Sequence, residues 1–110
     1  MLRGIAVAPG GVMELVELPD SEQAQLRAVQ RILGGYMEVV RVPQAPVLML
    51  VNEDGMAEHL PSNLVASILS GGLPIVGSVL LVGQEDSHGA IQSLPEPWVK
   101  ALQDRLVQRP

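Results

Sequence analysis

Val47-Leu48-Met49-Leu50-Val51-Asn52, followed at once by Glu53-Asp54-Gly55, is the stretch on which the fold turns. A half-exposed strand alternates apolar and polar side chains, and here five apolar residues stand in a row. The run therefore reads as a strand covered on both faces and central in its sheet. The polar residues after it carry the chain out of the sheet, since Asp caps its own backbone and Gly accepts a left-handed conformation. A short helix is expected over 62–70, with Leu64, Val65, Ile68 and Leu69 on its inner side and Gly71-Gly72 as its stop.

Outward from that stretch the same grammar repeats. Residues 36–42 read as a strand joined to the central one through Pro43-Gln44-Ala45-Pro46. Residues 3–8 and 12–18 form a hairpin around Pro9-Gly10-Gly11. Asp20 offers an N-cap with Gln23 three positions on; Leu26, Val29, Ile32 and Leu33 share a helical face, and Gly34-Gly35 closes that helix. Residues 75–82 read as another buried strand. A last helix opens at Ser93, with Pro95 and Glu96 in its first turn, and buries Trp98, Leu102 and Leu106. The order β-β-α-β-β-α-β-α predicts one α+β domain over residues 1–110, a two-layer sandwich with a mixed sheet of about five strands. Each half holds a strand pair, a Leu-Pro step (Leu18-Pro19, Leu60-Pro61), a helix and a Gly-Gly stop. This is the mark of an internal duplication or of shared capping rules.

Composition excludes several functions. The chain has no Cys, hence no disulfide, thiolate nucleophile or Cys-type metal centre, and two His residues are too few for a His-rich zinc site. No cofactor is expected. A net charge of -5 and an aromatic content of 2% leave neither the clustered cations nor the stacking rings that nucleic-acid binders use, so no nucleic-acid partner is expected. The longest nearly apolar run, residues 73–83, falls well short of the ~20 residues that cross a bilayer. No apolar signal-peptide core precedes Ala6-Val7-Ala8. A cytoplasmic protein without membrane contact is the expectation.

The chemistry-bearing residues gather after the central strand. Glu53, Asp54, Glu58 and His59 put three carboxylates and an imidazole within seven positions, a set able to ligate a hard cation or to act as general acid and base. Asn63 either caps the following helix or turns its amide to a ligand near the exposed N–H groups. Asp86-Ser87-His88 has the residue types of a hydrolytic triad, but sequence neighbours point in different directions and a solvated loop is the simpler reading. Glu38 and Arg41 fall on opposite sides of their strand, as on an edge strand with one wet face. No residue is assigned a catalytic or metal-binding role.

Gly34-Gly35-Tyr36-Met37-Glu38-Val39-Val40, Asn52-Glu53-Asp54-Gly55, Leu60-Pro61-Ser62-Asn63 and Ile75-Val76-Gly77 occur in one spaced order. This pattern resembles the domain-of-unknown-function family numbered thirty-eight forty-six, a small domain of bacteria, phages and mobile elements. The resemblance implies no established activity. It implies a setting, an accessory or defence-related protein of a mobile element. It also marks Asn52, Glu53, Gly55, Leu60, Pro61 and Asn63 as the positions for ligand binding or interaction.

The expected function is that of a binding or regulatory domain that contacts a protein partner or a second copy of itself as a homodimer. Five Met and strands apolar on both faces supply more greasy surface than one core needs. Two other readings use the same corner: a small-molecule or nucleotide sensor built on Asn52 to Asn63, and a small metal-dependent hydrolase built on Glu53, Asp54, Glu58 and His59.

Overall fold

The computed structural model describes residues 1–107. Its first hairpin joins β1 (Leu2–Val7) to β2 (Met13–Leu18) through the Pro9-Gly10-Gly11 turn, where the Ala8 N–H donates to the Val12 carbonyl at 2.9 Å. The 12-residue helix α1 (Glu22–Leu33) carries the chain across the sheet to the far edge and ends at Gly34 in the left-handed conformation. There β3 (Met37–Arg41) pairs with β4 (Val47–Asn52), and the short helix α2 (Leu64–Leu69) leads into β5 (Val79–Gly83) and finally α3 (Glu96–Val107). The strands lie in the order β2-β1-β5-β4-β3. The expected α+β class, the five strands and the order of elements are all present.

Where a mixed sheet was expected, every pairing is antiparallel. The physical reason lies in the link from β4 to β5. A parallel neighbour requires a crossover that returns the chain along the whole strand, about 20 Å for six residues. Here the bridge between Ser62 and Val76 closes the excursion through α2 on itself. The chain therefore leaves β4 and re-enters β5 at the same end of the sheet, with Leu50 opposite Leu80.

The expected two-layer sandwich is also replaced, by three layers. Val47, Met49, Val51, Val79 and Leu81 pack with Ala66 of α2 and with Val99 and Leu102 of α3. Leu48, Leu50, Leu80 and Val82 point the other way, against Val29 and Leu33 of α1. Helices on one face alone would leave those four side chains in water, at about 1.5–3 kcal/mol each. The apolar run at the centre demands cover on both faces.

Four local expectations shift for identifiable reasons. Ser21, not Asp20, caps α1, while the Asp20 carboxylate lies 3.2 Å from the N-terminal ammonium; Leu26 of that helix is exposed. β5 begins at Val79 and not at residue 75, because Val76 bridges to Ser62 and Gly77 turns the backbone left-handed before the strand starts. Ser93 does not open α3. Its hydroxyl accepts the Arg3 N–H at 3.0 Å, and the Pro95 carbonyl takes the first N–H groups of the helix. Trp98 packs partly buried and Leu102 fully so, whereas the Leu106 side chain lies outside the described residues. The two Leu-Pro-helix-Gly-Gly halves are not equivalent in space: β1 is inner and β2 at the edge, but β3 is at the edge and β4 inner. What repeats is capping grammar, with the N-cap three residues after each Leu.

Leu80→Ala and Leu81→Ala remove side chains from opposite faces of β5, and in three layers both are expected to cost about 2–5 kcal/mol. Val39→Ala on the edge strand is expected to cost less than about 1 kcal/mol. Urea denaturation of the three variants checks this. Tolerance of either β5 substitution would mean that its face is not packed.

Candidate functional site

Asn63 is fully buried, and each of its side-chain atoms has a protein partner. Its Oδ1 accepts the Ala66 N–H at 3.1 Å and so caps α2, while its Nδ2 donates to the carbonyls of Val7 at 3.0 Å and Gly77 at 2.8 Å. The backbone of the same residue donates to the Ile75 carbonyl and accepts from Ser67. One side chain thus joins the end of β1, the start of α2 and the turn before β5. Of the two readings of Asn63 from sequence, the structure takes the cap.

That anchoring also sets the rotation of α2. Asn63, Ala66 and Ser70, spaced three and four apart, form its buried stripe. Val65 and Leu69 are partly buried beside it, and Leu64 and Ile68, expected on the inner side, face solvent at 70% and 68% exposure. Hydrophobic periodicity misplaces this helix because its inner face is small and polar.

Asn52 is buried at the other end of the corner. Its Nδ2 donates to the Leu33 carbonyl at 3.2 Å, which satisfies the C-terminal end of α1, and to Glu58 Oε1 at 3.0 Å. Its Oδ1 accepts the Asp54 N–H at 2.8 Å in an Asx turn. The Gly55 N–H donates to the Asn52 carbonyl and the Leu60 N–H to the Gly55 carbonyl, so the loop folds back on itself. The Pro61 carbonyl accepts the Gly77 N–H at 2.8 Å. Gly77 has φ 77°, a left-handed conformation that favours Gly, and it packs against Leu60, whose Cδ1 would have to shift from a Cβ 2.8 Å away.

The six positions marked by sequence therefore form one connected corner, but they divide by role. Asn52, Gly55, Leu60, Pro61 and Asn63 build it, and Glu53 stands on its exposed rim. Glu53, Asp54, Glu58 and His59 do not assemble: Glu58 turns to Asn52, and among the described residues no group of three or more His, Asp or Glu could hold a metal ion. In Asp86-Ser87-His88 the Asp86 carboxylate accepts the backbone N–H groups of His88 and Ala90 at 2.8 and 3.0 Å, which makes a loop turn. On edge strand β3, Glu38 and Arg41 do point to opposite faces. Arg41 Nη1 donates to Glu85 Oε1 at 2.8 Å, and that hydrogen bond holds the Glu85 carboxyl below the usual carboxylate range.

Two concavities adjoin these elements. One of about 250 Å³ lies beside the corner, between β3, the end of β4 and residues 73–76, with Glu38, Asn52, Glu53, Met56 and Leu73 among its walls. The other is an open groove of about 900 Å³ on the opposite face, along α1 and residues 88–93. Sequence reasoning missed Val7, Gly77, Leu73 and Ser67 as parts of the corner. Ser67 Oγ accepts the Ile75 N–H at 3.0 Å and ties the 70–76 loop to α2. No local pattern signals these contacts, which join segments up to 56 positions apart. No described helix is long and apolar enough to cross a membrane.

Against known proteins, the family model for a domain of unknown function (DUF3846) matches residues 2–107. No curated protein and no solved structure matches the chain.

Asn63→Ala removes a helix cap and two buried donors at once, and is expected to cost about 3 kcal/mol or more. Asn63→Asp keeps the cap acceptor but sets a carboxylate against the Val7 and Gly77 carbonyls, so it is expected to destabilise as well. Thermal and urea unfolding measure both. Near-native stability of Asn63→Asp would show that the two donated hydrogen bonds do not matter.

Proposed function

The chain belongs to the DUF3846 family, and within it we propose a non-catalytic binding or regulatory domain that works by contact with protein, a partner or a second copy of itself. The observation that supports this most is the outward face of α2. Leu64 and Ile68 stand one turn apart in solvent, and Met56 and Leu73 nearby in the chain are 64% and 50% exposed. A helix that keeps Leu64 and Ile68 outside while Asn63, Ala66 and Ser70 line its buried stripe is arranged for a second surface, because exposed apolar patches mark contact sites.

The other two readings have less to work with. A sensor would use the amides of Asn52 and Asn63, which already donate to Leu33, Val7 and Gly77 and to Glu58. A metal-dependent hydrolase would need its four polar side chains together, and Glu58 is turned to Asn52. The binding reading keeps the protein in the cytoplasm and suits an accessory or defence-related role in a phage or mobile element, the setting that the family resemblance implies.

Leu64→Ser with Ile68→Ser is expected to leave unfolding free energy within about 0.5 kcal/mol of the parent, as exposed positions do, and to abolish self-association in sedimentation velocity or capture of a partner from host extract. If the parent chain stays monomeric over a wide concentration range and captures nothing that the variant loses, the reading fails.

A further inference from the structure

The cavity of about 250 Å³ beside the corner is an apolar slot with an acidic rim. Val40, Val51 and Ile75 wall it, Met56 and Leu73 flank it, and Glu38 and Glu53 enter from the same side of the sheet. Among the described residues no Lys or Arg lines it, and the sequence has none from Val42 to Val99. The ion pairs among the described residues involve none of Glu38, Glu53, Asp54 and Glu58. Arg41, the one cation on β3, points to the opposite face and is engaged by Glu85.

We propose that this slot receives a basic aliphatic segment of a partner protein. A Lys or Arg side chain of the partner lies along Val40, Met56 and Leu73 and brings its charged head between Glu38 and Glu53. Carboxylates alone would be a solvated rim; the apolar slot between them selects a side chain that is greasy along its stem and cationic at its tip. The same two features disfavour a nucleic acid, which brings phosphates to an acidic rim. A second copy of this chain brings the same net charge of -5, so long-range repulsion opposes self-docking. The inference rests on the protein-binding reading and names the chemistry of its partner.

Random peptides displayed for selection against the full chain test it. The expected result is enrichment of peptides with Lys or Arg beside aliphatic residues. Their affinity should fall at least about tenfold in Glu38→Lys with Glu53→Lys, and should weaken with added salt. Both positions are exposed, and unfolding curves of the variant confirm that it remains folded. Enriched peptides that lack cations but are lost with Met56→Asp would overturn the basic partner and leave the protein-binding reading standing. Enrichment of basic peptides that bind the Lys variant equally well would place them elsewhere and overturn the slot. Recovery of no peptide, with a monomeric chain that captures no partner, would overturn both.

Discussion

The amide of Asn63 is the constraint on which the rest of the corner depends. It is buried where β1 ends, where α2 starts and where the chain turns toward β5, and it meets a hydrogen-bonding need from each. Loss of its donors would leave the carbonyls of Val7 and Gly77 each short of a hydrogen bond in the interior. Because three separate segments share one side chain, none of them can shift alone. Asn52 plays the matching part for the end of α1 and the loop after β4.

Fixing α2 through Asn63 has a consequence at the surface. The helix buries its small, polar stripe and turns Leu64 and Ile68 outward. Of the polar residues in this stretch Asn52 and Asn63 serve the interior, and of the aliphatic residues of α2 Leu64 and Ile68 face the exterior while Val65 and Leu69 pack inward. This placement supports the proposed reading of contact, which the sequence also put ahead of catalysis. A catalytic corner would keep polar groups free for substrate, whereas this one uses its amides on its own backbone.

Charge is distributed with similar asymmetry. Arg41 and Glu85 pair on the face that α1 covers, while Glu38 and Glu53 stand on the other face beside an apolar slot. Alternation along β3 separates the cation from the neighbouring acid, so a simple strand period decides which face of the sheet stays acidic. On that face β3, the end of β4 and residues 73–76 leave a concavity between them.

Much of this was legible in the residues themselves. The apolar run Val47 to Val51, the Gly34-Gly35 stop and the order of elements follow from local rules of burial period, turn chemistry and capping, which act over a few positions, whereas Asn52, Gly55, Leu60, Pro61 and Asn63 stand together through the family pattern. What only the tertiary structure decided is which way those elements face and what they touch. The antiparallel sheet depends on the Ser62–Val76 bridge, which closes the excursion through α2 and returns the chain to the end of the sheet that β4 left, and the third layer depends on both faces of β4 and β5 needing cover. The burial of Asn63 depends on carbonyls as distant in sequence as Val7. Sequence patterns report the polarity of a side chain, but its environment is set by segments that meet only after folding, and that is why the same corner reads as chemistry in one dimension and as architecture in three.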